Sequence, residues 1–145
     1  MNTLNDTEAR KDLAFELLDA AGYLERRLDR ALSTIRGLSF SEYRLLRALA
    51  LAPDARAMRV DLAEAVGLTP SAVTRALKPL EKLCYVETLK SDRDARRSLA
   101  CLTDSGRELL SDAEGITRDV LSTLPIELLA ESGIDGFLRQ VGERL

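Results

Sequence analysis

Apolar residues recur at three- and four-residue steps along most of this chain and give way to strand-length runs around a single central segment. Leu13, Leu17, Ala20, Ala21, Leu24, Leu28, Ala31, Leu32 and Ile35 keep the helical step, with Arg26, Arg27, Asp29 and Arg30 between them. This predicts one long amphipathic helix from Thr7 to Ile35. The stripe exceeds what a small domain needs for its own core. Its spacing of about 3.5 residues suits packing on another long helix, such as one from a second chain.

A second helix is expected over Glu42–Leu51, capped by Ser39 or Ser41, with Tyr43, Leu46, Leu49 and Ala50 as apolar positions and Pro53 and Asp54 ending it. Ala57–Val60 is long enough for one short strand. Asp61 can cap a helix over Leu62–Val66, and Gly67 supplies a turn. In LTPSAVTRALKPLEKL, Thr69 is a good N-cap and Pro70 suits the first helical position. Val73, Leu77 and Leu80 then form a buried stripe, leaving Ser71, Ala72, Thr74, Arg75 and Lys78 outward. Val86–Lys90 and Ser98–Leu102 read as strands flanking the loop SDRDARR. Thr103 caps a further helix carrying Leu109, Leu110, Ala113, Ile116, Val120 and Leu121. Pro125 starts a last one, interrupted near Ser132 and Gly133, with Phe137, Leu138, Val141 and Leu145 as its apolar face.

The central order of short helix, glycine turn, second helix and basic hairpin describes a helix-turn-helix followed by a wing. A helix that reads bases must present short polar side chains and a cation from its first turns. Arg75 can grip guanine in bidentate fashion, while Thr69, Ser71 and the helix N-terminus suit phosphate. Arg93, Arg96 and Arg97 at a hairpin tip can enter a minor groove or hold phosphates, and Asp92 can pair with one of them to fix the loop. Taken singly, each of these surfaces also reads as a solvated charged face.

Composition narrows the choice. The chain has 145 residues, 46% hydrophobic and 31% charged, with only 4 prolines and 8 glycines, which suits ordered helical structure. It contains no histidine, so the usual general base and the commonest metal ligand are missing. With no phosphate-binding glycine loop either, an enzyme is not expected, nor a cofactor or metal. Cys84 and Cys101 do not form a disulfide framework or a zinc spacing. The acidic start NTLNDTEARKD is unlike a secretory signal and no run approaches a membrane span, so a cytoplasmic protein is expected. The net charge of −3 is unevenly distributed: residues 41–102 hold 11 Lys and Arg against 8 Asp and Glu, leaving 10 against 16 elsewhere. A basic reading part can therefore coexist with an acidic assembly part, although an excess this small also arises from ordinary scatter.

Several motifs together carry a resemblance: PSAVTR opening the second helix, the LEKL-x-YV exit, Asp-x-x-x-Arg-Arg in the wing, LT-x-x-GREL after it, and LSFSEYRLLRAL ahead. They resemble the MarR family of bacterial transcriptional regulators over nearly the whole chain. The resemblance implies a mainly α fold with a small β-hairpin wing, a winged helix-turn-helix with long N- and C-terminal dimerisation helices. The corresponding divisions are 1–36 (N-terminal dimerisation helix), 37–103 (DNA-binding domain) and 104–145 (C-terminal dimerisation helices). It further implies a homodimer on a pseudopalindromic double-stranded operator, usually a repressor released by a small aromatic or acidic ligand or by cysteine oxidation. Base-reading positions map onto Ser71, Ala72, Thr74, Arg75 and Lys78, and wing positions onto Asp92, Arg96 and Arg97. The family's ligand pocket, between dimer helices and winged domain, points by approximate position to Tyr23, Arg26, Phe40, Tyr43 and Arg44.

Two residues depart from the family pattern. Pro79 lies inside the reading helix, where it removes the backbone hydrogen bond to residue 75 and is expected to kink or loosen the helix. Cys84 stands where the family commonly has a helix-ending glycine, so the turn must avoid a left-handed backbone or tolerate strain. Cys84 reads either as a small semi-buried residue or as a redox sensor, and Cys101 as a small buried one. Pro79 and the overall acidity also leave room for a winged-helix module that binds protein rather than DNA.

Overall fold

A computed structural model of the chain describes residues 3–91, 94–125, 127 and 133–144. Helix α1 (Thr3–Arg36) is followed by α2 (Phe40–Leu51), a 3-10 turn (Pro53–Ala55), strand β1 (Arg56–Met58), α3 (Arg59–Val66), α4 (Pro70–Lys82), β2 (Val86–Ser91), β3 (Asp94–Leu102), α5 (Asp104–Leu121) and α6 (Ile134–Arg144). The three strands form one antiparallel sheet in the order β1-β3-β2. Arg56 to Met58 lie opposite Cys101 to Leu99, and Val86 to Lys90 opposite Leu102 to Ser98. The fold is thus the expected mainly helical one with a small β wing.

Of the two candidate caps for α2, Ser39 is the one used. Its hydroxyl accepts from Glu42 N at 3.1 Å, and the Glu42 carboxylate accepts from Ser39 N at 2.8 Å, a reciprocal capping box. Asp29 of α1 accepts from Phe40 N at 2.8 Å, satisfying another amide of that first turn and tying α1 to α2. Helix α2 therefore starts at Phe40 rather than Glu42.

Three further local expectations are corrected. Asp61 does not cap α3: the helix begins at Arg59, with Met58 at its N-cap and no side-chain cap. The joining strand is Arg56–Met58 rather than 57–60, because the chain turns helical as soon as its pairing with β3 ends. The segment SDRDARR is not all loop. Ser91 ends β2 and residues 94–97 begin β3, so strand pairing carries the hairpin further out than the polar composition suggested.

The core sits where α2, α3, α4 and the sheet meet. Leu45, Leu46, Leu49, Leu62, Leu77, Val73 and Val86 are among its fully buried side chains. Burying each stabilises by about 1.5–3 kcal/mol relative to exposure, and Leu62 of α3 with Val73 and Leu77 of α4 ties both helices into this core. Helix α1 divides. Leu28 and Leu32 are buried, whereas Leu13, Phe15 and Leu18 nearer the N-terminus are exposed. In α6, Phe137, Leu138 and Val141 are likewise exposed.

Candidate nucleic-acid interface

Helix α3 ends in a left-handed turn at Gly67 (φ 68°), with Leu68 N donating to Ala63 O at 2.9 Å. The helix cannot continue through that conformation, so the chain turns into α4. Thr69 caps α4 by accepting from Ala72 N at 3.2 Å, and Pro70 occupies the first turn, where no amide donor is needed. The expected inward stripe is observed: Val73, Leu77 and Leu80 are buried.

That burial fixes what faces out. Ser71, Arg75 and Lys78 are exposed, and Ala72 and Thr74 are partly so. Positions 71, 74, 75 and 78 follow the i, i+3, i+4, i+7 rule and share one helix face. Arg75 and Lys78 have no ion pair or hydrogen-bond partner among the described residues. Thr74 donates to Pro70 O at 3.0 Å, which leaves its oxygen as an acceptor and its methyl as an apolar contact. Thr69 and Ser71 hydroxyls lie 3.1 Å apart beside the helix N-terminus. The face therefore offers one planar cation, one point cation, small hydroxyls and the positive end of a helix dipole.

Pro79 does not end α4, which is continuous from Pro70 to Lys82. Pro79 is exposed, and so is Arg75 one turn before it. The Arg75 carbonyl, which loses its helical donor to Pro79, thus lies on the outer side of the helix.

Of the two options at Cys84, the structure takes strain. Cys84 has φ 59°, and Tyr85 N donates to Leu80 O at 2.9 Å and Cys84 N to Glu81 O at 3.0 Å. Those two bonds complete the same glycine-type cap seen at Gly67, here built on a residue with a side chain. The start of α5 clamps the turn: Thr103 Oγ1 donates to Cys84 O at 2.7 Å, and Ser105 Oγ to the same oxygen at 3.0 Å. Thr103 Oγ1 also accepts from Gly106 N at 3.0 Å, the expected N-cap. The Cys84 thiol is exposed, whereas Cys101 is buried. Burial pushes the Cys101 thiol up, with Arg56 opposing and Glu87 adding to the effect.

The wing residues are placed only in part. Asp92 and Arg93 lie outside the described residues, and Arg96 and Arg97 occupy the first half of β3. The five ligand candidates lie on α1 and α2. Tyr43 is buried in the core, Phe40 stacks on it with ring centroids 6.1 Å apart, and Tyr23 and Arg26 are exposed on α1. Arg44 instead joins Arg47 and Asp61 around an open cleft of about 370 Å³ floored by Ala48, Leu62 and Val66.

One site feature had no signal in the sequence. Arg59 reaches Glu81, Thr88 and Ser98, linking α3, α4 and both wing strands. No local spacing announces it, because the four residues meet only in the folded chain.

A family model described as MarR family matches residues 36–97, the segment that contains α2, the helix-turn-helix and most of the wing. The structure of Sco3205, a MarR family transcriptional regulator from Streptomyces coelicolor in complex with DNA, superposes with a TM-score of 0.80. It is 29% identical, over 93% of this chain and 87% of that one. The chain is similar to MarR family regulators. Two further solved structures agree in shape. AbsC from the same organism has a TM-score of 0.77 at 22% identity, covering 92% of each chain. CouR from Rhodococcus jostii RHA1, bound to p-coumaroyl-CoA, has a TM-score of 0.74 at 21% identity, covering 90% of this chain and 91% of that one. A comparison with curated proteins gave no match. No helix among the described residues is long and apolar enough to cross a membrane.

Proposed function

We propose that this chain is a MarR family regulator, a sequence-specific DNA-binding protein that acts as a homodimer on a pseudopalindromic operator. The observation that carries the reading is the exposed face of α4. Among the described residues Arg75 and Lys78 stand there without protein partners, beside the capped N-terminus and hydroxyls of a helix anchored by a fully buried stripe. Arg75 is the base reader, Ser71 and Thr69 with the helix N-terminus hold phosphate, and Thr74 and Ala72 contact base edges or the thymine methyl. Lys78 holds phosphate further along the groove, and Arg93, Arg96 and Arg97 of the wing contact backbone or minor groove, with Asp92 shaping the tip. That Sco3205 was solved with DNA supports the assignment.

The dimer is formed by the exposed apolar residues of α1 (Leu13, Phe15, Leu18) and α6 (Phe137, Leu138, Val141). Such residues on two terminal helices suit association better than solvent. Its action is repression relieved by a small ligand, a reading supported by CouR having been solved with p-coumaroyl-CoA.

The test uses duplexes enriched from a random pool by the wild-type protein, with binding measured at two salt concentrations. A salt-dependent, sequence-preferring complex is expected, weakened by about 1–3 kcal/mol in Arg75→Ala with relaxed preference at one base. A protein that enriches no duplex and shows no salt slope refutes the reading and favours a module that binds protein.

A further inference from the structure

Arg59 and Glu81 are each on the unfavourable end of their own helix. Arg59 opens α3, where the helix dipole favours an anion, and Glu81 lies in the last turn of α4, where it favours a cation. Met58 provides no side-chain cap to offset the first of these. Local rules broken twice at neighbouring points call for a tertiary reason.

The reason is visible in the contacts. Arg59 donates through one amine nitrogen to Glu81 Oε1 at 2.9 Å and Thr88 Oγ1 at 3.0 Å, and through the other to Ser98 Oγ at 2.9 Å. Thr88 Oγ1 in turn donates to the same Glu81 oxygen. Both charged side chains are mostly shielded, Arg59 at 21% and Glu81 at 29% exposure. Thr88 pairs with Ala100 and Lys90 with Ser98, so Thr88 and Ser98 are diagonal neighbours on one face of the hairpin. A single planar guanidinium therefore spans both wing strands while holding the end of the reading helix. Ser98 directly follows Arg96 and Arg97 in β3.

We infer that Arg59 and Glu81 form the joint that sets the angle between reading helix and wing, and are positioning residues for operator recognition. The inference rests on the DNA-reading function proposed above. Arg59 itself touches no phosphate, since its guanidinium is turned inward onto three partners. The joint makes recognition by α4 and by the wing a single event: with it intact, both meet the duplex in register; without it, the hairpin is held at its base alone.

The test uses the full chain, a duplex enriched by wild-type protein, and a scrambled duplex of equal length. Arg59→Met, Glu81→Gln and the double variant are compared across a salt series, well below their unfolding temperatures. Arg59→Met is expected to weaken the enriched duplex about tenfold. Scrambled-duplex affinity and the salt slope should stay as in wild type. The double variant should lose no more than the worse single variant, as members of one unit do. Wild-type affinity in a folded Arg59→Met protein overturns the inference and leaves the DNA reading standing. So does a slope reduced by about one, which would make Arg59 a phosphate contact. Should Arg59→Met fail to fold, Glu81→Gln carries the same comparison, and unchanged discrimination in it overturns the joint. A wild-type protein that enriches no duplex overturns the function itself.

Discussion

Replacing Cys84 by glycine should stabilise this protein, although it removes a side chain. Cys84 is held at φ 59° by two cap hydrogen bonds from the turn and by two hydroxyls of the α5 N-terminus on its carbonyl. A side chain in that conformation costs about 1–2 kcal/mol. Glycine removes the cost but brings roughly 0.5–1 kcal/mol of extra unfolded-state freedom. The thiol is exposed, so little burial is lost. The net gain is about 0.5–1 kcal/mol, or roughly 2 °C in melting temperature for a chain of this size. Gly67 supplies the mirror experiment. It forms the same cap at φ 68°, and a Cβ added there meets nothing within 4 Å, so Gly67→Ala isolates the backbone term. By the same two terms with the sign reversed, it should lower the melting temperature by about 2 °C. Both variants should be melted by calorimetry and unfolded in urea at one protein concentration, because association shifts apparent stability. A lower midpoint for Cys84→Gly would show that the side chain contributes more than the strain costs, and the argument would fail.

Three further outcomes follow from the same geometry. Pro79→Ala restores an amide to the Arg75 carbonyl on an exposed helix face and should stabilise by about 1–3 kcal/mol in denaturant unfolding; no gain would mean the helix has already absorbed the proline. Gly106→Ala places a Cβ 2.1 Å from Tyr85 O and 2.7 Å from a Leu102 methyl, so a loss above about 2 kcal/mol is expected, measured by the same unfolding. In the native protein Cys84 should alkylate readily and Cys101 only on unfolding, read by mass spectrometry. Raising the pH should leave this contrast intact through the neutral range, because burial holds the Cys101 thiol neutral. The sign for stability is the same: its contribution is full below the ordinary thiol pKa and declines as pH rises through it.

Periodicity and caps carried most of the fold. The stripe Val73, Leu77, Leu80 placed α4 correctly, and Thr69, Gly67 and Thr103 act as their positions in the sequence suggested. The glycine of LT-x-x-G gains a physical reason in Gly106, whose missing Cβ makes room for the Tyr85 carbonyl. What local reading missed were the choices decided by distant partners. Asp61 looks like a cap, but α3 starts earlier because Arg59 is drawn to Glu81 and the wing. Arg75 and Arg59 are both arginines at a helix-turn-helix, and only the folded contacts separate a free cation from an engaged one.

That separation also resolves how an acidic chain can approach DNA. Several cations outside α4 face carboxylates: Arg10 pairs with Asp6, Lys11 with Glu8, Arg36 with Asp112 and Arg139 with Asp135. Within the winged domain Arg59 is engaged by Glu81. Among the described residues Arg75 and Lys78 have no such counterion, so the field they project from α4 is not cancelled locally by a paired carboxylate. Net charge is the wrong measure here, because phosphate attraction depends on unpaired charge at the docking face and falls off within about 8 Å at physiological salt. The salt slope of operator binding should therefore drop by about one on Lys78→Ala. It should not move on Arg36→Ala, which removes an equal charge already matched by Asp112. Equal effects from the two substitutions would mean that total charge, and not its pairing, governs the encounter.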